Sequence, residues 1–399
     1  MNRSFMETLK RRKTEWLCFI VVPLIILAYI RIRGLPFVRL KPDSKLYLSI
    51  ADNYLATGHF VQTARPAGTF VVPFGLPVIL TLFRAMHMSL GAIIAAEYLV
   101  VCFSCTLLAK AEKRLFGGTG WVSPLVYTGA LIRTHLEVND IYPEYFFLFC
   151  LIAVIYLLTR EDMPLNKRLI WLNAVCLAGY LIRTVLIVVY LPVLAYTLYA
   201  ALRRRVSVLT ALLSVLIPCL VLYGIGQVNE KEVGHRIYTS NYAGNDIYTA
   251  NNPNTKTDFF SYKDHGDFVG DEYYAIDSNA DLDPTEKNTA FTEAAGKWIR
   301  SNPEQFMKNT LFKTWSLFVQ YWRYTSLIAL LCGVWLIILG KGFSRPMGCL
   351  LLLFNALLAL ITGMGLLVGR YSIVIWPISA IHLAGVWHWL TGQIKKNKL

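Results

Sequence analysis

The sequence predicts an all-α polytopic membrane protein with about ten transmembrane helices, for which three observations speak first. Of its 399 residues, 55% are hydrophobic and only 16% charged, where soluble domains carry about 25% charged residues. The apolar residues gather into runs near the roughly 20 residues a helix needs to cross a bilayer. Lysine and arginine collect at the ends of those runs, mostly on the side of the N-terminus, as they do in cytoplasmic loops.

The first span, Trp16 to Ile30, follows Lys10-Arg11-Arg12-Lys13. No small-residue cleavage pattern comes after it, so it reads as a retained anchor with a cytoplasmic N-terminus. Residues 69 to 88 are apolar but broken by Pro73, Gly75 and Pro77, and read as an interfacial or partly inserted segment. Spans follow at Gly91 to Ala109, Trp121 to Leu136 and Tyr145 to Leu158. Residues 169 to 201 split at Arg183-Thr184 into Leu169 to Leu181 and Val185 to Leu202. A single span there would put Lys341 and the C-terminal lysines outside, against the charge bias. The seventh span is Leu209 to Ile225, and the last three are Tyr324 to Leu339, Met347 to Leu367 and Ser372 to Leu390.

This order divides the chain into an N-terminal transmembrane part, 1–226, a large external loop, 227–323, and a C-terminal transmembrane part, 324–399. The first external loop is 31–90. Both termini fall in the cytoplasm. The polar stretch from Gln227 to Phe312 carries 14 acidic and 8 basic side chains, opposite in sign to the rest of the chain. It closes on a helical run, Thr289 to Leu317, interrupted at Asn302-Pro303.

The formal charge of +14 follows from basic loop ends and is not a nucleic-acid footprint, since no basic-aromatic patch accompanies it. All eight cysteines lie in apolar runs, which speaks against a disulfide framework or a zinc site. The seven histidines show no ligand spacing and read as structural or interfacial. Asp277, Asn279, Asp281 and Asp283 alternate like a calcium loop. Leu282 and Asn288 stand where the turn glycine and closing glutamate belong, so the stretch reads as a structural loop.

Three groups carry potential chemistry. Asp43, Tyr47 and Ala51 share one helical face, with Pro42 suited to the first turn. Spacing alone favours Asp43 as a first-turn cap over a catalytic acid. Glu137, Asp140 and Glu144 crowd a short external loop, where carboxylates serve base catalysis, metal binding, proton relay or simple solvation. Arg183 and Arg370 sit at the same interface, where arginine snorkels to headgroups or clamps a phosphate.

In this order the motifs resemble the GT-C membrane glycosyltransferases, in the branch of protein O-mannosyltransferases and aminoarabinose lipid A transferases. The resemblance runs through Asp43 with Tyr47, Gly58-His59-Phe60, Arg65-Pro66-Ala67-Gly68, Pro143-Glu144, Arg183, Asn251-Asn252-Pro253, Asn302-Pro303 and Arg370-Tyr371. Thr184 replaces the proline the family commonly has after the arginine.

The resemblance implies a polyprenyl-phosphate-sugar donor reached from the bilayer and an acceptor hydroxyl on a glycan, lipid or protein, with membrane lipids as the other partner. Asp43 would be the general base and Glu144 would orient the acceptor or a metal. Arg183, Arg370 and Arg65 would hold the phosphate, with Tyr47, Asp140 and Tyr371 beside the substrate. The resemblance fixes no cofactor and leaves a divalent metal open, because related enzymes differ. The expected place is a bacterial inner membrane with the site on its external face. A flippase for a lipid-linked glycan and a surface-polysaccharide polymerase or ligase are the competing readings.

Overall fold

A computed structural model of the chain describes residues 13–62, 71–133, 139–255, 269–319, 325–338, 345–364 and 373–392. The described residues form α-helices joined by short turns, with no strand among them. Helix α1 (Lys13–Ile32) leads to α2 (Pro42–Thr57) and α3 (Gly75–Ala85). Then come α4 (Leu90–Phe116), α5 (Val122–Arg133), α6 (Pro143–Leu158) and α7 (Leu165–Ile182). A 3-10 turn (Thr184–Leu186) precedes α8 (Ile187–Leu202) and α9 (Val208–Val233). The large polar segment forms α10 (Ala243–Ala250), α11 (Asp271–Asp277), α12 (Pro284–Ser301) and α13 (Pro303–Val319). The chain closes with α14 (Thr325–Ile338), α15 (Arg345–Met364) and α16 (Trp376–Leu390).

Five stretches are long and apolar enough to cross a membrane: Leu90–Phe116, Thr184–Leu202, Val208–Val233, Met347–Met364 and Ile373–Leu390. Leu17–Ile32, Val122–Ile132, Pro143–Leu158 and Thr325–Ile338 are shorter apolar helices, as is Gly75–Ala85. The chain is therefore a helical integral membrane protein. The described residues of the expected spans lie on helices, five of which are long and apolar enough to cross a membrane, and two helices outrun their apolar stretches. Helix α4 continues through Lys113 and Arg114, and α9 through Glu230 and Lys231, because residues 110–116 and 227–233 contain no glycine or proline, and each helix ends at the glycine that follows, Gly117 or Gly234.

Helix α6 is apolar all round and sits at the centre, packed against α4 and α7. Helix α9 presents Leu209, Leu212, Leu216 and Leu220 outward, the surface a bilayer would cover. At one end of the bundle the buried Glu112 of α4 accepts hydrogen bonds from the Ser123 amide and hydroxyl, each at 2.7 Å. His388 Nε2 lies 2.7 Å from its other oxygen, so this acid braces α4, α5 and α16.

At the opposite end, α3 meets the C-terminus of α7 at Gly75. A Cβ there would sit 2.6 Å from Ile182 Cγ1 and 2.9 Å from the Ile182 backbone nitrogen and Cα. Backbone cannot rotate aside, so Gly75→Ala should displace α3 and destabilise the protein by about 1–3 kcal/mol. Thermal unfolding in detergent measures this, and a wild-type Tm would refute the close contact.

Candidate functional site

The site begins with the five residues that lead into α6. Pro143 takes the first helical position, where its missing N–H costs nothing, and Glu144 follows it. Asn139 and Asp140 dock the chain ahead of α2 onto this entry. The Arg39 amide donates to the Asn139 carbonyl at 2.8 Å, and Asn139 Nδ2 donates to the Pro36 carbonyl at 2.7 Å. Asp140 Oδ1 accepts from the Ser44 hydroxyl at 2.5 Å, the Ile141 amide at 2.9 Å and, more weakly, the Lys41 amide at 3.4 Å. Lys41, the residue capping α2, supplies no side-chain cap, so Asp140 provides acceptors from outside the helix. Asp43 then stands half-buried in the first turn of α2.

The entry is tied to two further elements. The Tyr142 amide donates to Glu97 Oε1 of α4 at 3.1 Å. Glu144 ion-pairs with Arg183. Arg183 has extended backbone (φ −143°, ψ 116°), which ends α7 and turns the chain through Thr184–Leu186 into α8. Gly179 permits that turn to fold back, since any Cβ there would overlap the Leu186 side chain. The pair is unequal in burial: 2% of the Glu144 side chain is exposed and 24% of Arg183.

A cavity of about 420 Å³ opens beside this pair. Glu144, Arg183, Thr184, Thr239, Ser240, Asp246 and Thr362 supply its polar lining, and Phe147, Tyr180, Val185, Ile187, Ile361 and Val374 its apolar lining. Asp246 comes from the first turn of α10 in the large polar segment. That segment is clipped to the first loop at Asn241, whose Oδ1 accepts from the Val71 amide at 2.8 Å while its own amide donates to the Val71 carbonyl at 3.1 Å.

Of the residues expected from the sequence, Glu144 and Arg183 come together on the cavity wall. Asp43 is not among its lining residues. It lies near Tyr242, just ahead of α10. Partial burial, then the neighbouring Asp246, Tyr273 and Asp43, push the Tyr242 hydroxyl above its ordinary value. Asp140 is fully buried and braces α2 rather than facing the cavity, and Tyr47 packs partly buried against the core. Arg65, Glu137, Arg370 and Tyr371 lie outside the described residues.

Two residues escaped the sequence reading. Glu97 is a lone acid in an apolar span, a pattern that marks function or pairing by default and was available to be read. Asp246 is one of 14 acids in its segment, with nothing in its spacing to single it out. The calcium-like alternation resolves into turn chemistry. Asp283 caps α12 in a capping box with Glu286, and Asn279 Oδ1 accepts from the Asp281 amide at 2.9 Å. Among the described residues no group of three or more His, Cys, Asp or Glu side chains is placed to hold a metal ion.

Fold and site thus define a helical membrane protein with a charged cavity where the bundle meets its large polar segment. No family model and no curated protein sequence matches the chain. Among solved structures, the crystal structure of ArnT from Cupriavidus metallidurans bound to undecaprenyl phosphate is similar at a TM-score of 0.36, with 13% identity over 95% of this chain and 79% of that one. At that TM-score the likeness carries no conclusion about this chain.

Near the cavity, Lys313 of α13 is buried and donates to the Ala250 carbonyl at the C-terminus of α10, at 2.8 Å. This favourable end of the helix dipole does not offset burial, which pushes the ammonium from 10.5 down to about 8. The unfolded chain keeps the ordinary value, so it binds more protons between those limits and stability rises with pH there. Below pH 8 the full penalty, about 3 kcal/mol, is present. The Tm in detergent should climb from pH 8 to 10, and Lys313→Met should abolish that climb; a climb that survives in the variant assigns it to another group.

Proposed function

We propose that the protein is an inverting glycosyltransferase that moves a sugar from a polyprenyl-phosphate donor to an acceptor hydroxyl. The observation that carries this is the Glu144–Arg183 pair on the wall of a cavity that also borders the bilayer-facing helices. Its supports are the helix that bears Asp43, docked through Asp140 onto the same α6 entry, and the order of motifs resembling the GT-C transferases.

The chemistry follows from charge. The donor phosphate brings negative charge to Arg183, whose planar fork suits phosphate oxygens and which already has open surface toward the cavity. Glu144 keeps that guanidinium aimed when no phosphate is present. In the transfer step the acceptor oxygen forms a bond to the anomeric carbon as the bond from that carbon to the phosphate oxygen breaks. The acceptor proton passes to the Asp43 carboxylate, and polyprenyl phosphate departs with its charge stabilised by Arg183. Attack opposite the leaving group inverts the anomeric centre. Arg65 and Arg370 would add donors to the phosphate. The site would lie on the external face of a bacterial inner membrane, with both termini in the cytoplasm and residues 227–323 outside.

Purified Asp43→Asn protein should bind a polyprenyl-phosphate sugar as wild type does and transfer none of it to acceptor fractions. Undiminished transfer would remove Asp43 as the base. Lipid movement across vesicles by wild type without transfer would favour a flippase instead. Arg183→Ala should weaken binding of polyprenyl phosphate about tenfold or more, the loss of charge-assisted hydrogen bonds worth ~1.5–3 kcal/mol. Equal affinity in that variant would dissociate Arg183 from the phosphate.

A further inference from the structure

We propose that Asp246, on the wall contributed by the large polar segment, binds hydroxyl groups of the sugar carried by the lipid donor and so selects that sugar. This rests on the transferase reading above. Asp246 stands in the first turn of α10 and lines the same cavity as Arg183. A phosphate on Arg183 is joined to its sugar through one bridging oxygen. In a cavity of about 420 Å³ the ring therefore occupies the same space as the phosphate.

The two sets of lining residues differ in what they offer. Tyr180, Val185, Ile187 and Ile361 give the bundle side an apolar character that suits the lipid end of the donor. The large polar segment offers Thr239, Ser240 and Asp246, and Asp246 is its one charged side chain among the lining residues. An ionised carboxylate only accepts hydrogen bonds, through two oxygens in one plane, which matches a pair of neighbouring sugar hydroxyls. A site built on such bonds rejects an analogue that lacks a hydroxyl far more strongly than an apolar pocket rejects a missing methylene.

Selection also needs a rigid mount, and α10 has one. The Gly244 amide donates to Asn288 Oδ1 of α12 at 2.7 Å, and a Cβ at Gly244 would overlap the Asn288 carbonyl. The Val71–Asn241 exchange fixes the chain just ahead of the helix. Asp246 is thus held on packed helices rather than on a free loop.

The test uses the full-length protein in nanodiscs and two probes: a bare polyprenyl phosphate, and the same lipid carrying whichever hexose or pentose wild type binds best in a panel. Asp246→Asn should weaken the glycosylated lipid about tenfold or more while holding the bare lipid within about twofold of wild type, with Asp246→Glu recovering part of the loss. Binding of the bare lipid serves as the control for folding. Equal weakening of both lipids would overturn the proposal and make Asp246 a support for Arg183 or the loop. An unchanged preference for sugar, or a rise in acceptor KM alone, would overturn it as well. If wild type binds neither lipid, the transferase reading falls together with the inference built on it, a pattern distinct from either loss in the variant.

Discussion

A carboxylate almost wholly removed from water must be paired or neutral, and the site depends on how Glu144 meets that condition. It is placed in the first turn of α6 by Pro143 and takes Arg183 as partner from the turn between α7 and α8. The arginine keeps part of its surface open while the glutamate does not. Burial of this kind is weak evidence for stability, because desolvation consumes much of the Coulomb gain. What it secures is direction: the guanidinium is aimed at the cavity by a group that cannot itself move into water.

The same short segment sets the other coordinates. Asp140 holds the start of α2, the Tyr142 amide reaches Glu97 on α4, and Glu144 reaches Arg183. Three bonds from five consecutive residues thus fix three separate elements relative to one helix start. Asp43 is positioned at second hand, through Ser44 one residue away and the Asp140 carboxylate. On the proposed reading, a change at Asp140 would act on transfer by moving α2, though Asp140 is not among the residues that line the cavity.

How much of this was legible beforehand varied with the range of the interaction. Local chemistry read well: Pro42 opens a helix and Asn302-Pro303 separates α12 from α13, because each depends on backbone constraints a few residues wide, while the break at Arg183-Thr184 followed from the length of the apolar run and the charge bias. Span ends read less well. Hydropathy marks where apolar residues stop, while α4 and α9 stop only at the glycines beyond. Pairings across the fold were not readable at all. Nothing in sequence spacing joins Asp140 to Ser44 or brings Asp246 to the cavity that Arg183 lines, since these placements arise from helix packing and from a polar segment folding back onto the bundle.

The position of Asp43 then sharpens how the two substrates would meet. It stands outside the lining of the cavity, near Tyr242, while Arg183 stands within it. A base that served the donor alone would belong on the phosphate's side. One that serves an incoming acceptor belongs where that acceptor enters, and the polar residues ahead of α10 form that side. The donor, with its long apolar chain, suits the opposite face, where α7, α8 and α15 bring apolar residues to the cavity. On the proposed reading the two substrates therefore arrive through chemically unlike surfaces, and Tyr242 marks the boundary between them. Separation of this kind lets one small cavity accept a lipid and a hydroxyl compound without either competing for the other's path.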